Sequence, residues 1–93
     1  MRTISPAASA ELVPDGAVVM IGGFMGVGSP HRTIAALVAR QARDLTVIAN
    51  DTARPGVGIG KLIGAGCVAR AIVSHIGTNP ETQKLMLEGK LAV

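Results

Sequence analysis

The chain has 93 residues, of which 48% are hydrophobic and 16% charged, so it is a single folded domain at most and not a disordered segment. Its nine basic and six acidic residues give a net charge of +3, and the basic residues are scattered along the chain, which argues against a nucleic-acid interface. The only cysteine, Cys67, excludes an internal disulfide and a cysteine-based zinc site, and indicates a reducing compartment.

The N-terminal segment and the apolar runs carry no targeting or membrane signal. The first dozen residues have no signal-peptide core, and the aliphatic run from Ala17 is too short to cross a bilayer. We therefore expect a soluble cytoplasmic protein. The apolar neighbours of Cys67 predict a buried, inert thiol.

The first predicted elements are a helix and a strand. Ser5 and Pro6 form a cap-and-proline signal that predicts a helix over about residues 6 to 12, and turn residues end it. The run from Ala17 to Ile21 is rich in β-branched residues and bounded by glycine. It predicts a strand that is buried on both faces.

A second helix and strand complete a βαβ unit. Ser29 and Pro30 repeat the cap signal, and apolar residues then recur at helical spacing: Ile34, Leu37, Val38 and Ala42. The segment 44–50 is the next predicted strand, and a helix of this length suits a right-handed crossover to a parallel neighbour. The fold class predicted is α/β, an open parallel sheet with βαβ crossovers.

The last third of the chain continues the same alternation. We predict a short helix within 61–66, a strand at 68–74, and a helix that Asn79 opens and Gly89 stops. Residues 91–93 have the character of a strand that has just begun. We therefore expect these 93 residues to be a truncated domain.

The stretch "GGFMGVGSP", residues 22–30, is the strongest candidate for a binding site. Its spacing fits neither a P-loop, nor a dinucleotide fingerprint, nor a nucleophile elbow. Gly22 and Gly23 would let backbone N–H groups approach a ligand at the positive end of a helix, near Asn50 and Asp51 at the next strand end. The alternative is that the glycines only permit tight packing between strand and helix.

The residues around this stretch resemble the signature of family I coenzyme A transferases. The segment "DGAVVMIGGFMGVGSP" meets every constrained position of that signature: Asp15, Gly16, Val19, Met20, Ile21, Gly22, Gly23, Phe24, Gly28 and Pro30. The likeness continues through 43–53, 58–66 and 74–82. It is a likeness to the A, or alpha, subunit of 3-oxoacid or acetate CoA-transferases.

The resemblance implies that residues 1–93 are the N-terminal part of a single A-subunit domain with a CoA-transferase-like fold. Such a subunit pairs with a B subunit and moves coenzyme A between an acyl-CoA and a short carboxylate or 3-oxoacid, such as acetate, butyrate or acetoacetate. The glutamate that forms the glutamyl-CoA intermediate belongs to the B subunit. The resemblance thus implies no catalytic residue in this chain, no metal, and no tightly bound cofactor besides coenzyme A or acyl-CoA as substrate.

The same resemblance assigns candidate site residues. Coenzyme A would bind at a loop of seven residues: Gly22, Gly23, Phe24, Met25, Gly26, Val27 and Gly28. Asn50 would lie near the reacting group, where its amide donates without charge, or else would only bond backbone in a turn. Asp51, Arg54 and His75 are weaker candidates. The alternative function is a truncated, non-catalytic remnant that only self-associates or binds a small anionic ligand.

Overall fold

The computed structural model describes residues 3–93 and shows an α/β domain with three parallel strands. The helices and strands alternate along the chain: α1 (Pro6–Glu11), β1 (Val18–Met20), α2 (His31–Ala39), β2 (Leu45–Asp51), α3 (Ile59–Gly64), β3 (Val68–His75) and α4 (Pro80–Leu87). The strand order is β1-β2-β3, and both pairs are parallel. The predicted open parallel sheet with βαβ crossovers is confirmed.

The C-terminal residues continue this sheet beyond β3. The Ala71 N–H donates to the Ala92 carbonyl at 2.8 Å, and the Ala92 N–H donates to the Ala69 carbonyl at 3.0 Å. The bridge is parallel, and Leu91 beside it is buried. Within 91–93, where the sequence predicts the start of a strand, Ala92 alone pairs with the sheet, through an isolated bridge to Arg70.

The hydrophobic core lies on one face of the sheet. Right-handed crossovers between strands in sequential order place their helices on the same side. Inward-facing strand residues accordingly form one buried cluster with residues of α2 and α3: Leu45, Val47, Val68, Ile34, Leu37, Ile59, Leu62 and Ile63. Because the three strands are parallel, their carboxyl ends lie at one edge of the sheet, and the candidate site is at this edge.

The prediction that the segment from Ala17 to Ile21 is buried on both faces is wrong. The strand is shorter, Val18–Met20, and lies at the edge of the sheet. Val18 is 66% exposed and Met20 78% exposed, and Ile72 on the same face is 51% exposed. Only one face is covered by helices, so alternate residues of an all-aliphatic run face outward.

Two of the three predicted helix caps are present. The Ser5 hydroxyl accepts from the Ala8 N–H at 3.1 Å, and the Asn79 side-chain oxygen accepts from the Thr82 N–H at 3.0 Å. Both bonds satisfy an amide that has no partner within the helix. Ser29 does not cap α2, and that prediction is wrong.

The helix α2 begins one residue later than predicted, so Pro30 takes the cap position. This shift moves the Ser29 hydroxyl away from the first-turn amides. It donates instead to the Gly22 carbonyl at 2.9 Å and ties together the two ends of the intervening loop.

Cys67 is 1% exposed, and burial raises the pKa of its thiol. The prediction of a buried thiol is confirmed. Within residues 3–93, every helix falls short of the length and apolar character needed to cross a bilayer.

Candidate functional site

The glycine loop, residues 22–28, is a tight hairpin that follows β1 directly. Phe24 and Val27 exchange both backbone hydrogen bonds, each 2.9 Å long. Between them Met25 has φ 51° and Gly26 has φ 89°. Two consecutive residues with positive φ are what a two-residue type I′ hairpin turn requires. The chain therefore reverses immediately at the carboxyl end of the strand.

Gly23 occupies a position in this loop that a larger residue does not fit. Its φ is 123°, and a Cβ there would lie 2.3 Å from the Ser29 hydroxyl oxygen and 2.9 Å from the Val27 carbonyl oxygen. The first contact would displace the hydroxyl that bonds to Gly22, and the second would push on the hairpin backbone. This loop conformation therefore requires glycine at position 23.

Some amides of the loop are used inside it and others face solvent. The N–H groups of Phe24 and Val27 bond within the hairpin, and that of Met25 bonds to Asp51. Three exposed glycines have amides without an acceptor among residues 3–93: Gly22, Gly23 and Gly28. These three are the amides that a ligand could meet.

Gly26 has a different environment from these three. It is buried, and a Cβ there would lie 2.8 Å from a methyl of Val57. A Cβ at Gly58 would lie 3.2 Å from the Gly26 Cα. The segment after β2 thus packs directly on the hairpin, and Gly26 permits that packing. Gly26 therefore serves packing, but between the hairpin and the segment after β2 and not between a strand and a helix.

The loop and Asn50 border the same open pocket, which has a volume of about 560 Å³. It is lined by Met20, Ile21, Gly22, Gly23, Ile48, Ala49 and Asn50. The expected convergence of two parallel strand ends is therefore present. The lining combines apolar side chains with two glycines and one side-chain amide.

The Asn50 side chain is exposed and partly engaged. Its Nδ2 donates to Asp51 Oδ2 at 3.1 Å. An amide nitrogen has two hydrogens, so one N–H and the carbonyl oxygen of the side chain remain available to other partners. A neutral donor in this place suits a carboxylate or a developing oxyanion.

Asp51, only a weaker candidate from the sequence, accepts hydrogen bonds from three different residues. It is 3% exposed, and Oδ1 accepts from the Ala53 N–H at 2.8 Å. The Met25 N–H lies 3.2 Å from Oδ1 and 3.1 Å from Oδ2. Burial alone would raise the pKa of Asp51, but the bonds from Ala53, Met25 and Asn50, with the charge of His75, lower it overall. The carboxylate is therefore ionised at neutral pH.

The sequence indicated only one of the backbone hydrogen bonds that Asp51 accepts. An aspartate at a strand end that bonds the amide two residues on is a local turn signal, and that half of its role was visible. The other half was not, because Met25 lies 26 residues earlier in the chain.

The weaker candidates and Phe24 do not line this pocket. Arg54 and His75 are exposed, and Phe24 is 57% exposed. Glu11 lies on α1, and Glu81 packs beside Gly64, where a Cβ would come within 2.7 Å of its carboxylate. In the part of the chain that the structure describes, no cluster of His, Cys, Asp and Glu side chains could hold a metal ion.

These features define an open parallel α/β domain with a ligand-sized pocket at the carboxyl ends of its strands. Residues 3–93 match the family model described as coenzyme A transferase, and the chain belongs to this family.

Three curated relatives show the range of similarity. The chain is 54% identical over 79 residues to the acetate CoA-transferase subunit alpha of Escherichia coli, covering 85% of this chain and 36% of that protein. It is 46% identical over 79 residues to the acetoacetyl-CoA:acetate/butyrate CoA transferase alpha subunit of Clostridium acetobutylicum, with the same coverage. It is 38% identical to the human mitochondrial succinyl-CoA:3-ketoacid coenzyme A transferase 2, covering 85% of this chain and 15% of that protein. The chain thus spans about a third of the length of its bacterial relatives.

A solved structure with the same fold is a variant of the decarboxylase AibA/AibB. It superposes with a TM-score of 0.77 at 28% identity, covering 98% of this chain and 37% of the other. A decarboxylase and CoA-transferases therefore share this arrangement of strands and helices. Function must be argued from the site as well as from the fold.

Proposed function

We propose that this chain serves as the alpha subunit of a CoA-transferase, which moves coenzyme A between an acyl-CoA and a short carboxylate or 3-oxoacid such as acetate, butyrate or acetoacetate. Family membership and the names of the bacterial relatives support this proposal. The observation that carries it is a pocket lined by Asn50 and by Gly22 and Gly23, whose amides have no acceptor among residues 3–93.

The chemistry of this pocket suits an anionic thioester substrate. Exposed glycine amides donate to a carbonyl or phosphate oxygen without a Cβ in the way. The helix α2 begins at His31, just after the loop, and its N-terminal end adds a partial positive charge. The free N–H of Asn50 would donate to the carboxylate, or to the oxyanion that develops when the acyl carbonyl is attacked.

The nucleophile in this proposal comes from a partner B subunit. Transfer requires a carboxylate that attacks the acyl carbonyl and displaces the CoA thiolate, which gives a mixed anhydride. The thiolate then attacks the glutamyl carbonyl and releases the acyl group as a free carboxylate, leaving a glutamyl-CoA thioester. The described glutamates lie outside the pocket: Glu11 on α1, Glu81 on α4 and Glu88 directly after α4. The alpha-subunit names of relatives support a two-subunit enzyme.

The test is CoA transfer by this chain assembled with its B-type partner subunit. Acetyl-CoA or acetoacetyl-CoA serves as donor, and acetate, butyrate or acetoacetate as acceptor. We expect transfer that Asn50→Ala reduces by about 10² to 10³, the usual effect of removing one oxyanion donor. Gln83→Ala is the matched control, because it removes a side-chain amide outside the pocket. Absence of transfer with every donor and acceptor would refute the proposal.

A second candidate function is self-association without catalysis. The observation that favours it is the exposed apolar face formed by Val18, Met20 and Ile72. Such faces mark association surfaces. Sedimentation at increasing concentration would show a growing oligomer that Met20→Gln weakens, together with no transfer in the assembled sample. A binder of small anions would instead bind phosphate alone as tightly as coenzyme A.

A further inference from the structure

One buried carboxylate connects three parts of the site. Asp51 accepts hydrogen bonds from the glycine loop through the Met25 N–H, from its own strand end through the Asn50 side chain, and from the next segment through the Ala53 N–H. These bonds are 2.8 to 3.2 Å long. Because Asp51 is only 3% exposed, water competes little for its carboxylate.

Two of these donors belong to residues in a disfavoured backbone conformation. Met25 has φ 51° and Ala53 has φ 57°, both in the left-handed region that residues with a Cβ seldom adopt. Each of them directs its N–H to the same carboxylate. The hydrogen bonds to Asp51 therefore offset the cost of this backbone conformation at Met25 in the glycine loop and at Ala53 after β2.

The third donor concerns the orientation of Asn50. An ionised carboxylate only accepts hydrogen bonds, so it must face the Nδ2 group of Asn50 and not its Oδ1. This pairing fixes the rotation of the amide about its last bond. Without the carboxylate, the two ends of the amide could exchange places, and the donor and acceptor offered to a ligand would be reversed.

We propose that Asp51 is the positioning residue of this site, and that it holds the glycine loop and the Asn50 amide in one fixed relation. The inference rests on the proposed function for its consequence in catalysis. The contact between Asp51 and the glycine loop lies within this chain, so hydrogen exchange tests it without any measurement of transfer. Asp51 touches no reacting atom in this account and acts through Met25 and Asn50.

The first experiment measures amide hydrogen exchange in the unaltered chain. We expect the Met25 amide to exchange at least tenfold more slowly than the exposed amide of Gly23, after correction for intrinsic rates. In Asp51→Ala, which removes both acceptor oxygens, this protection is lost while core amides such as that of Val47 keep theirs. Equal exchange at Met25 and Gly23 in the unaltered chain would overturn the inference, even if the variant fails to fold.

The second experiment measures transfer kinetics in the assembled enzyme. We expect Asp51→Asn to raise KM for the acyl-CoA at least tenfold, which corresponds to about 1.4 kcal/mol, and to lower kcat as well. Asp44→Asn is the matched control, because it neutralises an exposed aspartate outside the pocket and leaves both constants unchanged. A KM and kcat for Asp51→Asn equal to those of the control would overturn the inference.

A rescue variant separates positioning of the loop from positioning of Asn50. Adding Met25→Gly to Asp51→Asn removes the Cβ that opposes the left-handed conformation. We expect it to recover most of the loss in KM but not the loss in kcat, because Asn50 stays free to rotate. Recovery of neither constant would overturn the loop part of the inference. If the unaltered enzyme shows no transfer, the proposed function fails, and hydrogen exchange at Met25 still decides whether Asp51 holds the loop.

Discussion

Gly23→Ala tests whether the glycine loop needs bare backbone. The added Cβ would lie 2.9 Å from the Val27 carbonyl oxygen and 2.3 Å from the Ser29 hydroxyl oxygen, at φ 123°. A residue forced into such a region costs about 1 to 3 kcal/mol. For a domain of this size each kcal/mol lowers the Tm by about 4 to 8 °C. We therefore expect a loss of roughly 4 to 24 °C in thermal unfolding followed by circular dichroism.

The matched control for this experiment is Gly77→Ala. Gly77 is exposed, its φ lies outside the left-handed region, and a Cβ there would meet nothing within 4 Å. Such a surface change is expected to alter the free energy of unfolding by no more than about 0.5 kcal/mol. Equal unfolding temperatures for the two variants would refute the account of the loop. Calorimetry with coenzyme A should also show weaker binding to Gly23→Ala than to Gly77→Ala.

Two further predictions concern pH and the core. The lowered pKa of Asp51 contributes stability that is present above its unfolded value, about 3.9, and is lost as pH falls through the lower folded value. Urea unfolding from pH 7 down to pH 3 should show the onset of this loss, and Asp51→Asn should show less of it. Identical pH profiles of stability for the variant and the unaltered chain would contradict the assignment. Leu62 is 0% exposed, so Leu62→Ala should cost about 2 to 5 kcal/mol. Leu87→Ala, at an 82% exposed position, should cost under about 0.5 kcal/mol, and equal costs would contradict the position of the core.

Local signals predicted most of the fold. The caps at Ser5 and Asn79 depend on bonds across three residues, and the helix of α2 follows from apolar spacing within one segment. The parallel pairing of β1 and β2 follows from the length of that helix. Each of these inferences needed only neighbouring residues.

The exposure of β1 could not be predicted in this way. An aliphatic run is compatible with burial on both faces, and whether the second face is covered depends on elements that are distant in sequence. Val18 and Met20 therefore looked buried but are exposed. Ser29 failed for a related reason, because a shift of one residue at the start of α2 replaced a local bond by one to Gly22.

The pocket at the strand ends was predicted in outline, and its use as a binding site stays a prediction. The expectation that Gly22, Gly23 and Asn50 meet follows from the rule that ligands sit at the carboxyl ends of parallel strands. The role of Asp51 depends on a contact with Met25 across the sheet edge, which no pattern within either segment reveals. The difference between Gly22 and Gly23, which line the pocket, and Gly26, which serves packing, likewise required the position of Val57.

The most direct test of the central claim is the titration of this chain with coenzyme A, followed by amide chemical shifts. We predict that the largest changes occur at the backbone amides of Gly22, Gly23 and Gly28 and at the side-chain amide of Asn50. The groove between α3 and α4, which Glu81 and Lys84 line, should be unaffected. Shifts confined to that groove, or unchanged amides throughout the glycine loop at saturating ligand, would contradict the claim that this loop and Asn50 form the binding site.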